Sequence, residues 1–474
     1  MRTTKILATL GPATDSPEAI RSMLQAGVDV FRLNASHGVQ QDHERRIDWV
    51  REVAAELNIL PGILLDLQGP KIRLGTFENG GCELTTGSRF AITTEQVNGT
   101  CERASVSYKE FAKDVKVGDR VLLADGSVEL RVVQKTNTDT VCEVVSGGPI
   151  SDRKGINLPG VDVSSPSLTK KDIADLRWGL QKGIDFVALS FVRRREDVVK
   201  LRGFLEEAEA PVPVVAKIEK PEGWKNLDAI LEESDGVMVA RGDLGVEMAL
   251  EKVPFIQKSI IERARKHGKF VITATQMLES MVTSPTPTRA EVSDVANAIY
   301  DGTDAVMLSA ETSAGKYPVE TARMMARISA EAEGSLKTHG YKEAPKRDES
   351  PSVADIVADS AYRAARLMNA SAIVVFTATG FSARLVARYR PPVPIYAFTP
   401  SEAVARQLSL IYGIRPVVGP EPANSDEMVQ IMDRTLVDRG LLKAGDSVTF
   451  VAGQPIGRPG TTNLMTLHRI GDLW

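Results

Sequence analysis

The stretch Val212–Asp243, VPVVAKIEKPEGWKNLDAILEESDGVMVARGD, contains two apolar runs separated by one amphipathic segment. Pro221 follows the first run, at a position where proline commonly opens a helix. The order strand, helix, strand predicts a parallel pair of strands, because a parallel crossover is usually made by a helix. Polar residues close both runs: Lys217 and Glu219, then Arg241 and Asp243. The stretch therefore predicts a β/α unit whose strands end in polar groups.

The same alternation recurs along the chain and gives eight apolar runs in all. They are Lys5–Gly11, Val28–Ala35, Gly62–Gly69, Asp185–Val192, Val212–Glu219, Gly236–Leu244, Phe270–Met277 and Ala305–Glu311. Thr288 and Glu291 have the spacing of a capping box and predict a helix before the eighth run. Eight β/α units predict a closed (β/α)8 barrel of the TIM type.

More than a hundred residues separate the third run from the fourth. Turn signals such as Asn98-Gly99 and Asp125-Gly126 punctuate residues 72–158 and predict a small all-β domain, placed as a lid. A polar linker is expected at 338–351, followed by a second α/β region with strands at 372–376, 393–398 and 447–452. The predicted domains are a barrel (1–70 and 160–340), an inserted β lid (71–159) and a C-terminal α/β effector domain (350–474).

The composition narrows the class of protein. With 58 Lys plus Arg against 62 Asp plus Glu, the net charge is −4, which argues against a nucleic-acid-binding protein. The three cysteines form no C-x-x-C pair, so neither a disulfide framework nor a zinc knuckle is indicated. We expect a cytoplasmic protein, because no signal-like segment or membrane-length apolar run is found.

Polar residues concentrate at the carboxyl ends of the predicted strands, which is where active sites lie in this fold. They are Arg32, Asn34, Ser36, Asp66, Ser190, Lys217, Glu219, Arg241, Asp243, Thr275, Gln276 and Glu311. Residues at i and i+2 share one side of a strand. Lys217 with Glu219, and Arg241 with Asp243, are therefore expected to converge at the barrel mouth. The alternative is a set of buried structural ion pairs, which require good geometry to be tolerated.

Glu219 and Asp243 lie on adjacent strands and suit Mg²⁺, which is typically held by one or two carboxylates. Five histidines without a cluster make zinc an unsuitable choice. Cations near such an ion (Arg32, Lys217, Arg241) indicate an anionic substrate, although Arg241 could orient neighbouring carboxylates instead. The chain has no P-loop and no G-x-G-x-x-G after a strand, so any phosphoryl transfer to a nucleotide uses another kind of site.

Five ordered motifs resemble those of the pyruvate kinase family. They are Phe31–Gly38, Val215–Glu219, Val239–Gly245, Ala274–Ser280 and Met307–Thr312. With the inserted lid and the C-terminal region, the resemblance covers nearly the whole chain. It implies a phosphotransferase that moves the phosphoryl group of phosphoenolpyruvate to ADP, giving pyruvate and ATP in the final step of glycolysis.

The resemblance also implies roles for individual residues. Glu219 and Asp243 would hold Mg²⁺ or Mn²⁺, Lys217 would neutralise the moving phosphoryl group, and Arg32 would clamp it. Gly242, Asp243 and Thr275 would receive the substrate carboxylate, with a water relay near Thr275 protonating the enolate. The nucleotide side would be Asn34, His37, Arg73 and the pair Arg193-Arg194. The lid would close over both substrates and exclude water.

One departure from the family concerns the monovalent cation. Members that require K⁺ carry a threonine after the third-strand aspartate and a glutamate shortly after it, where this chain has Leu67 and Lys71. The hypothesis is that the Lys71 ammonium replaces K⁺ beside Asn34, Ser36 and Asp66, so that K⁺ is not required. The alternative is that K⁺ still binds through those three residues.

In the C-terminal region, the hydroxyls and glycine of Thr377–Arg384 precede a helix and suit a phosphate group. The candidate residues are Thr377, Thr379, Gly380, Ser382 and Arg384. The resemblance implies a phosphorylated allosteric effector there and a homotetramer; a plain helix cap is the alternative. A second loop, at 453–462, is expected to close the effector site. The effector is left open between a sugar monophosphate, a sugar bisphosphate and AMP.

Two other functions remain open from the residues alone. A Mg²⁺-dependent aldolase or lyase acting on pyruvate-like enolates would have a similar metal site. A non-catalytic metabolite sensor would keep the fold, although the intact Lys217, Glu219 and Asp243 argue against it.

Overall fold

The computed structural model describes residues 2–339, 351–456, 458 and 460–472. The chain begins with two β/α units and a third strand. These elements are β1 (Lys5–Thr9), α1 (Pro17–Gln25), β2 (Val30–Asn34), α2 (Gln40–Leu57) and β3 (Gly62–Asp66). The three strands are parallel, with β2 between the other two.

An all-β region follows β3 and forms sheets of its own. Its elements are β4 (Gly81–Leu84), β5 (Arg89–Thr93), β6 (Arg103–Ser105), α3 (Phe111–Asp114), β7 (Arg120–Leu123), β8 (Val128–Lys135), β9 (Asp139–Ser146), β10 (Gly148–Ser151) and β11 (Ile156–Asn157). The larger sheet has the order β11-β7-β8-β9-β5-β6, and β10 pairs with β4. Phe90 and Phe111 are fully buried in a separate apolar core, so this region packs as a unit.

The β/α alternation then resumes. The elements are α4 (Lys170–Gln181), β12 (Phe186–Leu189), α5 (Arg195–Glu207), β13 (Val214–Ile218), α6 (Pro221–Lys225), α7 (Leu227–Glu233), β14 (Gly236–Ala240), α8 (Arg241–Glu247), α9 (Val253–Lys266), β15 (Phe270–Ala274), α10 (Arg289–Asp301), β16 (Ala305–Leu308), α11 (Ala310–Ser313) and α12 (Pro318–His339). Eight parallel strands close in the order β1-β16-β15-β14-β13-β12-β3-β2. The predicted (β/α)8 barrel is confirmed.

Local sequence explains the ends of these elements. Every residue of β13 and β14 is buried, as a strand covered on both faces requires. Pro221 opens α6, and Thr288 with Glu291 forms the predicted capping box of α10. Gly302 ends α10 with φ 98°, a left-handed conformation that glycine adopts without strain.

The C-terminal region is a second α/β unit. It comprises α13 (Val353–Leu367), β17 (Ala372–Phe376), α14 (Phe381–Ala387), β18 (Ile395–Thr399), α15 (Glu402–Leu408), β19 (Ile414–Val418), α16 (Ser425–Asp438), β20 (Ser447–Gly453) and β21 (Thr462–Arg469). Its sheet has the order β19-β18-β17-β20-β21, with β21 antiparallel. The strands β19 and β21 were not expected from the sequence. Residues 340–350 of the predicted linker lie outside the described residues.

The C-terminal unit docks against the amino ends of the barrel strands. Arg406 of α15 pairs with Asp185, just before β12, at 2.7 Å, and Lys5 of β1 donates to the Ile414 carbonyl at 2.7 Å. The polar residues at the carboxyl ends therefore face the other way, toward the lid. Across the described ranges, no helix combines the length and apolarity needed to cross a membrane.

Candidate active site

Lys217 lies near the end of β13 with only 9% of its surface exposed. Its ammonium contacts Ser190 Oγ at 2.7 Å, Glu219 Oε1 at 2.9 Å and Asp66 Oδ1 at 3.1 Å. An ammonium has three N–H groups, so these three acceptors engage all of them. Burial alone would lower the pKa of Lys217, but the charges of Asp66 and Glu219 outweigh it and raise the pKa above its usual value. Lys217 is therefore a fixed positive charge.

Asp66 connects Lys217 to a second cation. Its Oδ2 accepts from Arg32 Nε at 2.7 Å, and Arg32 Nη1 donates to Thr9 Oγ1 at 3.1 Å. Burial raises the pKa of Asp66, and Lys217 and Arg32 reverse that effect so that its pKa falls below the usual value. Ser190, which accepts from Lys217, donates to the carbonyl of Leu67, the residue after Asp66, at 2.8 Å. The structure thus places Asp66 as the shared counter-ion of Arg32 and Lys217.

Glu219 follows β13 directly and is 1% exposed. Its Oε2 accepts the Phe191 N–H at 2.6 Å. Burial raises the pKa of Glu219, Lys217 opposes this, and the negative charge of Asp243 adds to the rise. Carboxylates are the ligands that hard divalent cations prefer, and such a cation would stabilise the buried charge of Glu219. No group of three or more His, Cys, Asp or Glu suited to a metal occurs in the described part of the chain. Glu219 and Asp243 therefore fit the prediction of a carboxylate pair completed by other ligands.

The shared strand face expected for Arg241 and Asp243 is not found, and the alternative, that Arg241 orients a neighbouring carboxylate, agrees with the structure. Strand β14 ends at Ala240, and Arg241 opens α8, where residues two apart no longer share a face. Arg241 Nη1 contacts Asp294 at 2.6 Å, and Nη2 donates to the Thr275 carbonyl at 2.7 Å. Arg241 therefore holds α10 and the end of β15 together rather than facing an anionic substrate beside the metal ligands.

Thr275 has a strained backbone. Its φ is 67°, and that of Gln276 is 54°, in the left-handed region that β-branched residues rarely adopt. Thr275 Oγ1 accepts the Gly242 N–H at 2.7 Å and donates to the Ala274 carbonyl at 2.7 Å. Two of the three residues predicted to receive a carboxylate, Gly242 and Thr275, are thus held against each other, and strain of this kind is often found at functional sites.

The predicted nucleotide side contains residues from β2 and from the start of the lid. Asn34 Oδ1 accepts the Ser36 N–H at 3.1 Å. Burial lowers the pKa of His37, and the charges of Arg73, Lys71 and Arg32 lower it further, so these three cations surround the imidazole. No ion pair of the Lys71 ammonium occurs among the described residues, and Lys71 lines a cavity at the barrel mouth.

The pair Arg193-Arg194 is split by the structure. Arg193 is buried, and its guanidinium donates to the Val163 and Ser165 carbonyls, so it fixes the chain leading back from the lid. Arg193 also borders the cavity that contains Lys71 and Asp243, so its expected position toward the nucleotide stays a prediction. Arg194 caps α5, where its N–H donates to Asp197, and its side chain is exposed.

Three residues that the sequence interpretation missed join the lid to the barrel. Buried Glu247 accepts from Asn157 Nδ2 at 3.0 Å and from Lys220 Nζ at 3.1 Å. They border the same cavity as Lys71 and Asp243. Glu247 lies four residues after Asp243 on α8, a helical spacing that places the two carboxylates on one face and could have identified it.

Glu311, the last of the polar strand-end residues, is structural. Its two oxygens accept the Leu278 N–H at 3.2 Å and the Ser309 N–H at 2.6 Å. It joins the loops after β15 and β16.

The candidate effector loop is divided between two environments. Thr377 and Ser382 are buried, and Ser382 Oγ lies 2.6 Å from Thr462 Oγ1. Gly380 precedes α14 with φ 80°. Thr379 and Arg384 instead border an open cavity of about 440 Å³ between the C-terminal unit and the base of the barrel. The loop at 453–462 contacts the site through Thr462, and residues 457 and 459 lie outside the described residues.

Comparisons with known proteins agree with this geometry. Residues 1–322 match the model of the pyruvate kinase barrel domain, and residues 355–468 match that of the pyruvate kinase alpha/beta domain. Pyruvate kinase of Corynebacterium glutamicum is 46% identical, with 99% of this chain and 98% of the relative covered. Pyruvate kinase of Bacillus licheniformis is 45% identical over all of this chain, which spans 81% of that protein. A solved pyruvate kinase from Cryptosporidium parvum has a TM-score of 0.90 at 36% identity, covering 99% of this chain and 96% of its own.

Proposed function

The chain belongs to the pyruvate kinase family, and we propose that Lys217, Glu219 and Asp243 form its chemical centre. It transfers the phosphoryl group of phosphoenolpyruvate to ADP, giving pyruvate and ATP, and its family generally uses a divalent metal. The observation that carries the assignment of residues is the buried contact of Lys217 with Ser190, Asp66 and Glu219, beside a second carboxylate.

Lys217 and Arg32 bind the phosphoryl group. Both cations are fixed by Asp66, which lets them present positive charge without rearranging as the group moves. A preorganised cation in a site with little water stabilises developing negative charge more strongly than solvent does. Asp66 is a positioning residue in this scheme.

Glu219 and Asp243 hold Mg²⁺ or Mn²⁺. When bound, such an ion supplies Lewis-acid polarisation of the phosphoryl and enolate oxygens. Glu219 is presented by its hydrogen bond from Phe191, and Asp243 by the first turn of α8. Burial, with a smaller contribution from the charge of Asp243, raises the pKa of Glu219, and a cation at this position would compensate for both effects.

The substrate carboxylate lies at Gly242, Asp243 and Thr275. The hydrogen bond from the Gly242 N–H to Thr275 Oγ1 at 2.7 Å supports this placement, because it brings the two groups that would receive the carboxylate together. A hydroxyl is a poor acid at neutral pH, so a water near Thr275 delivers the proton to the enolate carbon.

ADP lies toward Asn34, His37, Arg73 and Arg194. The cluster of cations around His37 supports an anionic group on this side. The lid covers the site through Asn157 and Glu247, and exclusion of water favours transfer to ADP over hydrolysis.

Lys71 takes the place of K⁺ beside Asn34, Ser36 and Asp66. Its ammonium acts on His37, three residues after Asn34, and Leu67 offers no oxygen ligand from its side chain. A fixed ammonium at the cation site would make K⁺ unnecessary.

The remaining assignments concern regulation and assembly. A phosphorylated effector binds a site formed by Thr377, Thr379, Gly380, Ser382 and Arg384. The cavity at Thr379 and Arg384 supports this assignment.

The protein is a homotetramer of the cytoplasm. Exposed apolar side chains on α13 and β21 support an interface there. A separate apolar core supports the predicted lid at 71–159. The barrel (1–70 with 160–340) and the C-terminal domain (350–474) share one core cluster where they dock, and the C-terminal domain has a second core of its own.

The deciding experiment measures pyruvate formed from phosphoenolpyruvate, with and without ADP and Mg²⁺. We expect pyruvate only when both are present. Lys217→Met should lower kcat by at least about 100- to 1000-fold, because it removes one preorganised charge from the transition state. Mg²⁺ binding measured by calorimetry should persist, and Lys225→Met, an exposed lysine on α6, should behave like the wild type. Pyruvate formation without ADP would favour a lyase, and retained activity in Lys217→Met would contradict the role of Lys217.

A further inference from the structure

A second group of cations lies at the opposite end of the barrel, where the C-terminal unit docks. It lines a small cavity and consists of Arg265, Lys269, Arg384, Arg388 and Arg390, with Asp304 as the one carboxylate of the lining. Arg265 and Lys269 belong to the barrel, and the three other cations to α14 and the residues after it. The active site lies beyond the other end of the strands.

The only carboxylate of this cavity is already engaged. Asp304 Oδ1 contacts Arg390 Nη1 at 2.8 Å and accepts the Tyr412 N–H at 3.2 Å. Its Oδ2 accepts the Val271 N–H at 2.9 Å. Arg388 pairs outside the cavity, with Asp355 at 3.3 Å.

Three cations are left without a carboxylate. Arg265 is 9% exposed, its Nε is buried without a partner, and its guanidinium makes no hydrogen bond or ion pair within the described ranges. The Lys269 ammonium likewise has none among these residues. In the part of the chain that the structure describes, Arg384 donates only to the Thr379 carbonyl, at 3.3 Å. Buried charges in proteins are normally paired, because an unpaired one loses its hydration without compensation.

Burial is the main reason that the pKa of Arg265 falls to about 10, and the nearby charge of Arg390 adds to the effect. Arg265 therefore still carries its charge at neutral pH. Asp235 acts electrostatically on Lys269 and Arg384, but it is itself paired with Arg202 at 2.8 Å. The residues present leave the cluster with excess positive charge.

We propose that this cavity binds a small inorganic anion, with Arg265, Lys269 and Arg384 as its partners. The cavity measures about 20 Å³ on the scale on which one water needs roughly 10–15 Å³. A monoatomic anion such as chloride fits that space, whereas the four oxygens of phosphate do not fit without movement of the side chains. The anion bridges the barrel to the C-terminal unit, because each contributes cations to it.

Thermal unfolding of the full-length protein tests this inference independently of activity. Chloride replaces a large organic anion such as gluconate at constant ionic strength, so that general screening stays fixed. The unfolding midpoint of the wild type should rise with the logarithm of the chloride concentration, by roughly 3 °C when chloride reaches 100 times its Kd. Arg265→Met should show no such rise, and Lys266→Met, an exposed neighbour on α9, should follow the wild type.

The order of stabilities provides a second criterion. Without chloride, Arg265→Met should unfold at a higher temperature than the wild type, because an unpaired buried charge has been replaced by an apolar chain of similar length. With saturating chloride the order should reverse. The inference is overturned by a wild-type midpoint that ignores chloride, or by the same chloride dependence in Arg265→Met. A response to inorganic phosphate but not to chloride would overturn the size argument.

Anomalous scattering from wild-type crystals grown with bromide provides a readout that needs no variant. A bromide peak within hydrogen-bonding reach of Arg265 and Lys269 is expected. A peak only on the protein surface, with water alone in the cavity, would contradict the proposal even if Arg265→Met fails to fold.

Discussion

Asp66→Asn is the substitution that most directly tests how the active site is held together. The change keeps the shape of the side chain and removes its charge. Asp66 is 1% exposed and contacts Arg32 at 2.7 Å and Lys217 at 3.1 Å. Removing one partner of a buried ion pair costs about 3–5 kcal/mol, since the other charge remains buried. Asparagine retains one acceptor oxygen, and Lys217 keeps Glu219, so we expect the lower limit, about 3 kcal/mol.

The free energy lost in Asp66→Asn should appear both in the stability of the protein and in its catalysis. Urea unfolding should show a lower midpoint with an unchanged slope, since the surface exposed on unfolding is the same. Catalysis should fall by about 100-fold in kcat/KM if the whole loss reaches the transition state, because 1.36 kcal/mol corresponds to a factor of ten. Glu129→Gln is the matched control. Its partner Arg120 is half exposed, so the change should cost less than about 1 kcal/mol and leave kcat/KM unaffected.

Acid unfolding adds a criterion that depends on the sign of the pKa shift. The native pKa of Asp66 is lowered, so its carboxylate stabilises the fold above the unfolded value of about 3.9. That contribution disappears as the pH falls through the native pKa. Asp66→Asn should therefore lose stability less steeply than the wild type below about pH 4. If the variant keeps the wild-type midpoint, acid profile and kcat/KM to within about threefold, Asp66 is not the shared counter-ion.

Three further outcomes are expected. The wild type should reach its full turnover in buffer free of K⁺ and NH₄⁺, whereas the turnover of Lys71→Met should depend on K⁺. Strong stimulation of the wild type by K⁺ would contradict the proposal that the Lys71 ammonium replaces K⁺. Arg241→Met should lower both the unfolding midpoint and kcat, because Arg241 positions Asp294 and the end of β15. The Mg²⁺ concentration for half-maximal rate should stay the same, because none of the described contacts of Arg241 is with the proposed metal ligands. A shift in that concentration would place Arg241 at the metal. Asn157→Ala should increase the release of pyruvate without ADP, because the lid loses its hydrogen bond to Glu247. A hydrogen bond to a charged group is worth about 1.5–3 kcal/mol. An unchanged ratio of phosphoenolpyruvate hydrolysis to phosphoryl transfer would show that this contact does not hold the lid.

The barrel could be predicted because its signal is local and repeated. A strand buried on both faces is continuously apolar, so a charged residue such as Lys217 stands out where the run ends. The capping box at Thr288 and the proline at the start of α6 mark helices with equally local chemistry. The candidate site followed from the same rule, since carboxyl ends of barrel strands meet at one face.

The failures arise where local periodicity changes or where partners are distant in sequence. Spacing of i and i+2 describes a strand, but α8 begins at Arg241, so that rule no longer applies to Arg241 and Asp243. The pairing of Asp66 with Lys217 joins residues from β3 and β13, and no pattern within either strand reveals it. Strand β19 was missed because Pro416 interrupts its apolar run, a residue tolerated here because β19 lies at the edge of its sheet.

All three N–H groups of the Lys217 ammonium are engaged, which affects how the site would respond to a bound metal ion. Since Ser190, Asp66 and Glu219 occupy all three N–H groups, a substrate oxygen must replace one acceptor. Asp66 is held by Arg32, which leaves Glu219 as the carboxylate that a second cation can draw away. If Glu219 holds a divalent ion, its contact with Lys217 would weaken, and one N–H of Lys217 would become available to the phosphoryl group. The affinity for phosphoenolpyruvate should then depend on the Mg²⁺ concentration less steeply in Lys217→Met than in the wild type. An equal dependence in both proteins would show that Glu219 does not couple metal binding to substrate binding.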